Sequence, residues 1–125
     1  MIDHIVLHVS DIAKSKEFYE KALQPIGLKV TSQHPEWNLI GIGTEQHNDL
    51  WIVGDGADKP GHVAFSVNAK DPAQLFHAAA IQAGGKDNGA PGYRKEYSAG
   101  YYAAFVLDPD GHNIEVVFRD PNPSE

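Results

Sequence analysis

The chain contains no cysteine. Disulfides, thiolate nucleophiles and cysteine-ligated zinc are therefore excluded at once. Positive charge is scarce: 10 Lys and Arg stand against 17 Asp and Glu, a formal net charge of −7. Such a surface repels phosphate backbones, so no nucleic-acid partner is expected, whereas cations are tolerated or attracted. The two arginines are Arg94 and Arg119. No apolar run approaches the ~20 residues that a membrane helix needs, so no membrane partner is expected either. The start, Met1-Ile2-Asp3-His4, lacks the basic and apolar stretches of a signal peptide. With the absence of cysteine, this leads to an expected cytoplasmic location.

What is present describes an ordinary globular domain. Hydrophobic residues make up 42% and charged residues 22% of the 125 positions, enough for one real core and too few residues for two domains. Residues 2–9 are β-branched and aliphatic and read as a strand. Ser10-Asp11 offers a helix cap, and Ile12, Phe18, Tyr19, Ala22 and Leu23 recur at helical spacing until Pro25 and Gly27. Strands are expected at 28–32, 37–42 and 50–53. The stretch 54–61 is a linker by composition.

The pattern then restarts. His62–Val67 reads as a strand, Asp71-Pro72 as a helix start, and Leu75, Phe76, Ala79, Ala80 and Ala83 as an apolar stripe ending at Gly84-Gly85. A glycine- and tyrosine-rich loop is expected over about 86–100. Two last strands, 101–107 and 113–119, flank the turn Asp108-Pro109-Asp110-Gly111. The tail is 120–125, and the residues after Asp120 are expected to fray. The chain thus reads as a tandem duplication, with one module at about 1–55 and a second at about 61–119. Overlaying the two first strands superposes His4 on His62.

Side chains alternate faces along a strand. Ile5, Leu7 and Val9 share one face of the first strand, and His4, Val6 and His8 the other. Val63, Phe65 and Val67 oppose His62, Ala64 and Ser66. Ile114, Val116 and Phe118 oppose Asn113, Glu115, Val117 and Arg119. Each strand has one apolar face for a helix and one mixed face. Taken singly, a histidine at a strand start is ordinarily a surface residue and a strand glutamate is ordinarily solvated. Together, if the mixed faces line a cleft, His4 and His62 face each other across a pseudo-twofold axis and Glu115 completes a set suited to Zn, Fe(II), Ni or Mn.

At Ile2-Asp3-His4-Ile5 with Val9-Ser10-Asp11 and Phe18-Tyr19, at Gly61–Phe65, and at Phe105–Glu115 with its Asp-Pro-Asp-Gly turn, the chain resembles the vicinal-oxygen-chelate superfamily. That superfamily includes glyoxalase I, bleomycin-resistance proteins and extradiol dioxygenases. The resemblance spans about residues 2–119. It implies an α+β fold of two βαβββ modules forming a cupped mixed sheet around a metal, with the helices outside. It places the metal ligands on His4, His62 and Glu115. Many members add a fourth ligand from the last strand of the first module, where Asp49 and Trp51 face the cleft if Leu50 and Ile52 face the helix. Glyoxalase I carries a longer Glu, or a His, at that ligand, so Asp49 departs from the pattern.

The resemblance implies a divalent-metal-dependent lyase or isomerase, stabilising an enediolate of a small substrate with two adjacent oxygens while a carboxylate, Glu115 or Asp49, moves a proton. Substrate contacts are assigned to His8, Trp51, Arg94, Tyr97 and Tyr101; Arg94 suits a carboxylate. Trp37 and Trp51 are read as pocket walls or core. His34, His47, His77 and His112 receive no role. Two alternatives stand beside this reading: a metal-free binder of cationic drugs of the bleomycin-resistance type, and a single-domain iron-dependent dioxygenase. A homodimer is expected by resemblance.

Overall fold

The computed structural model describes residues 1–57 and 59–123; Asp58 of the linker, and Ser124 and Glu125 of the tail expected to fray, lie outside the described residues. The architecture is α+β, with two βαβββ modules in tandem. Module one runs β1 (Ile5–His8), α1 (Ile12–Ala22), β2 (Lys29–His34), β3 (Leu39–Gly43) and β4 (Asn48–Val53). Module two runs β5 (His62–Val67), α2 (Lys70–Gln82), β6 (Lys86–Tyr93), β7 (Tyr101–Leu107) and β8 (Asn113–Arg119). Each module forms its own four-stranded mixed sheet, ordered β1-β4-β3-β2 and β5-β8-β7-β6. The first strand of each pairs in parallel with the last, so β1 and β5 are edge strands.

The alternation read from the sequence decides what is buried. Leu7, Val9, Ile52, Val116 and Ile114 turn toward the helices and join Phe18, Tyr19, Leu23, Phe76 and Ala80 in one buried cluster. Burying a side chain of this kind stabilises the fold by roughly 1.5–3 kcal/mol, and the cluster is shared by both modules. Asp11 caps α1, its carboxylate accepting from the Lys14 N–H at 3.1 Å. Helix α2 begins at Lys70, with Ala69 as an uncapped N-terminal residue. Asp71-Pro72, expected at the cap and first position, therefore lies inside the first turn. There Pro72 deletes an N–H that has no helical partner anyway, and Asp71 faces the positive end of the helix dipole.

Two local expectations are corrected. Residues 86–93, expected as loop, form β6. Its pairing with β7 shifts register twice, around Gly89 and before Gly92, which erases the two-residue period. Pro91 is tolerated because β6 is an edge strand. Trp37, expected in a strand, sits in a short 3-10 turn, Pro35–Trp37, ahead of β3, and is 66% exposed.

The Asp108–His112 turn clasps the two modules. Asp108 accepts from the N–H groups of Asp110 and His112 with one oxygen and from the buried Tyr19 hydroxyl with the other. Burial pushes the Tyr19 phenol well up, and the neighbouring Asp108 adds to it, so it remains a donor. Asp110 accepts from the Ser10 backbone and hydroxyl. Gly111 has φ of 88°, the left-handed conformation that favours glycine in this turn. His112, 3% exposed, accepts the Gly61 N–H on Nδ1 at 2.7 Å. Its Nε2 therefore carries the proton and donates to the His8 carbonyl at 2.8 Å.

Candidate metal centre and its groove

On β5 and β8 the register pairs His62 with Asn113 and Ala64 with Glu115. His62 thus sits diagonally from Glu115 on the face away from the helix. The carboxylate is almost fully buried, its side chain 3% exposed, and Oε1 lies 3.0 Å from His62 Nε2. The Tyr101 hydroxyl donates to Oε2. Burial, and then the bond to Glu115, push the Tyr101 phenol up to about 12, so it is a donor here. Its ring is held on two sides, edge-on by Tyr97 at 5.2 Å and by the Arg119 guanidinium at 5.0 Å.

The histidine's proton is placed by its other nitrogen. Nδ1 lies 2.9 Å from the Asn113 carbonyl, which can only accept, so Nδ1 carries hydrogen. In the neutral ring Nε2 then points a lone pair at a carboxylate oxygen. Two lone pairs at that separation are held together only by positive charge between them, a proton or a metal ion. A second nitrogen anchored on a carbonyl is also how metal-bound histidines are oriented. By donor chemistry, His62 and Glu115 fit a divalent ion.

His4 is prepared in the same way on the first module. Its Nδ1 bonds the Asp3 carboxylate at 2.7 Å, leaving Nε2 available. The His4 bond holds the Asp3 carboxyl below its ordinary value of 3.8. His47 donates to the Asp3 carbonyl at 2.8 Å, and that bond raises its pKa. The segment bearing His4 is therefore tied to the β3–β4 turn by a histidine to which the sequence assigned no role.

The expected convergence of His4, His62 and Glu115 inside one chain is corrected: among the described residues no three His, Asp or Glu side chains gather in a way that could hold a metal. His62 and Glu115 meet on the second sheet, while His4 belongs to the first. No backbone pairing joins the two sheets, so strand register does not bring His4 beside the other two. None of the three groups lies on a helix-covered face.

The pairing register also settles which residue mirrors Glu115. Ala64, two residues after His62, pairs with Glu115; Val6, two residues after His4, pairs with Trp51. Trp51 therefore occupies the first module's counterpart of the carboxylate. Its indole lies across Gly41, where a Cβ would come within 2.8 Å of the ring, and His34 packs on it at 6.2 Å. Asp49 falls one step away and lies 3.4 Å from His47.

Two depressions flank these residues. A polar recess of about 480 Å³ includes His4, His47, Asn48 and Trp51. A groove of about 550 Å³ is bordered by Ile5, Leu28, Asp49, His62 and Phe65, so Asp49 and His62 share one space. His8 is exposed on the same face as His4 and is bonded to Asp55 at 2.8 Å. Arg94, expected to grip a substrate carboxylate, donates in this structure to the Ala90 and Gly92 carbonyls, both at 2.8 Å, and packs over Phe105. It pins the bulged edge of β6. Tyr97 remains exposed.

A family model described as the Glyoxalase/Bleomycin resistance protein/Dioxygenase superfamily matches residues 1–116. A lactoylglutathione lyase of Escherichia coli O157:H7 is 33% identical over 129 residues, covering 91% of this chain and 89% of that protein. A putative lactoylglutathione lyase of Brassica oleracea var. gemmifera is 28% identical over 137 residues; the match takes in 96% of this chain but 45% of the plant protein, so the chain spans about half the length of that relative. Among solved structures, a glyoxalase/bleomycin resistance protein from Albidiferax ferrireducens T118 superposes with a TM-score of 0.77 at 25% identity, covering 93% of this chain and 96% of that one. With the tandem modules, the paired histidine positions and the Asp-Pro-Asp-Gly clasp already described, these matches establish that the chain belongs to the glyoxalase/bleomycin resistance protein/dioxygenase superfamily.

Proposed function

We propose that this protein is a divalent-metal-dependent lyase or isomerase of glyoxalase type, acting on a small substrate with two adjacent oxygens. The observation that carries the reading is the 3.0 Å approach of His62 Nε2 to Glu115 Oε1, with Nδ1 of the same ring fixed on a carbonyl. His4, from the first module, is the third ligand. Because the two halves stand on different sheets, a second copy of the chain joins His4 of one protomer to His62 and Glu115 of the other. The unshared outer edges of β1 and β5 support that arrangement. When bound, the ion polarises the two substrate oxygens as a Lewis acid. Asp49, exposed and bordering the groove that holds His62, is the carboxylate that moves the substrate proton. Glu115 has both oxygens engaged and serves as ligand. Trp51 walls the site, and His8 and Tyr97 are its proposed substrate contacts.

A second reading, an iron-dependent dioxygenase, is favoured by one observation. With Trp51 in the mirror position of Glu115, the ligand set is two histidines and one carboxylate, the combination that leaves positions open in non-haem Fe(II) oxygenases. One experiment addresses both. Protein purified without chelators is analysed for metals, then assayed with thiol–dicarbonyl adducts and, after anaerobic Fe(II) loading, with catechols and oxygen. Isomerisation supports the first reading and ring cleavage the second. Failure to take up any divalent metal refutes both and leaves a metal-free binder. The shared site is tested by mixing H4A and E115A proteins. Each alone is inactive, and exchange of subunits restores up to about a quarter of wild-type activity, because one site of each mixed twofold dimer is intact. No restoration refutes the intersubunit site.

A further inference from the structure

Glu115 is a nearly buried carboxylate with a different partner on each oxygen. Such a group is costly to hold in the ionised form unless both oxygens are satisfied. His62 Nε2 faces Oε1. The Tyr101 hydroxyl donates to Oε2, and a phenol in that position takes up one of that oxygen's lone pairs and turns it away from His62, leaving Oε1 as the oxygen beside Nε2. Tyr101 is itself immobilised. Its backbone pairs with Arg119 across β7 and β8, the Arg119 guanidinium lies over its ring, and Tyr97 packs against the ring's edge. A freely rotating carboxylate beside a cation offers either oxygen, or both at once. This one offers a single oxygen, chosen by the tyrosine.

We infer that Tyr101 is a positioning residue: its hydroxyl commits Oε2 of Glu115, so that the carboxylate presents Oε1 alone beside Nε2 of His62. The inference rests on the reading of His62 and Glu115 as metal ligands. It removes Tyr101 from the set of substrate contacts expected from the sequence. It also explains why a tyrosine that departs from a plain strand residue faces the mixed side of β7, in line with Phe105, which stacks against His62 at 6.4 Å. Without the phenol hydroxyl, Oε2 is released and the carboxylate is free to bind through two oxygens or to turn away.

The test is a cobalt(II) titration of the full-length protein, followed by visible absorption and by competition with a chelator. Wild type, Y101F, E115Q and Y101F/E115Q are compared. Phenylalanine keeps the ring between Arg119 and Tyr97, so metal-free Y101F is expected to fold, with its thermal midpoint lowered by roughly 5–10 °C because Oε2 loses its partner. Cobalt affinity in Y101F is expected to fall about 10- to 100-fold, the range seen when a group supporting a metal ligand is removed. The ligand-field bands are expected to change shape, because the number of bound oxygens changes. In the E115Q background the Tyr101 change is expected to have no further effect. Wild-type affinity and an unchanged spectrum in Y101F overturn the inference while leaving the metal reading intact. An equal loss from Y101F in both backgrounds overturns it as well, since the tyrosine would then act elsewhere. No cobalt binding by wild type overturns the metal reading itself, and the inference with it.

Discussion

Replacing His112 with alanine should weaken the attachment of the two modules to each other at the turn. Its imidazole is buried between them, and both ring nitrogens are engaged with backbone: Nδ1 with the Gly61 N–H at 2.7 Å and Nε2 with the His8 carbonyl at 2.8 Å. Alanine deprives one donor and one acceptor of these partners. Leaving a buried polar group without its partner costs about 1–3 kcal/mol. Two groups give a ceiling near 6 kcal/mol by the same measure, but Gly61 is only partly buried and His8 is exposed. Water entering the vacated space replaces part of the loss. A net destabilisation of about 3 kcal/mol is expected, which lowers the melting midpoint of a chain this size by roughly 10 °C. Urea denaturation of wild type and H112A measures the difference. Nitrogen-15 spectra of wild type should show His112 with hydrogen on Nε2. A loss below about 0.5 kcal/mol, the range of ordinary surface substitutions, or a proton found on Nδ1, would refute the clasp. Because Gly61 immediately precedes His62, H112A should also weaken the proposed metal binding without changing any of the proposed ligands.

Other consequences are equally direct. In G41A the new Cβ would stand 2.8 Å from the Trp51 ring. The indole must leave its seat, at a cost of about 1–3 kcal/mol as for other overpacked sites, and tryptophan fluorescence should shift to the red as Trp51 becomes wetter; an unchanged spectrum would count against the seat. The Asp120 carboxyl is held below its ordinary 3.8 by the Tyr93 hydroxyl first and the Asn122 N–H second. A lowered folded-state pKa means that this interaction contributes fully above 3.8 and is lost as pH falls through the lowered value. The stability advantage of wild type over Y93F should therefore be present at neutral pH and shrink in acid. An advantage that is constant or grows on acidification would contradict the assignment.

The legible parts of this molecule are those that local rules control. The parity of Ile5, Leu7 and Val9, and of Ile114, Val116 and Phe118, follows from strand alternation alone, because one buried face is enough to impose it. The helix at Asp11 and the duplicated module order are legible for the same reason. Strand β6 was not, since Gly89, Pro91 and Gly92 disrupt its periodicity and only pairing with β7 makes it a strand. Arg94 donates to carbonyls of the preceding strand β6, a local bond that no pattern of residue types reveals.

The order of amino acids determined which side chains face away from the helices: His4, His62 and Glu115 are set by a two-residue period that each strand carries within itself. Tertiary structure decided the rest. Register between strands distant in the chain put Trp51, rather than Asp49, opposite Val6, and placed Tyr101 on Glu115. The division into two sheets left His4 apart from His62 and Glu115. Facing is a property of one backbone segment, whereas meeting depends on how separate segments are offset when they pack, and that offset is written in no single stretch of residues.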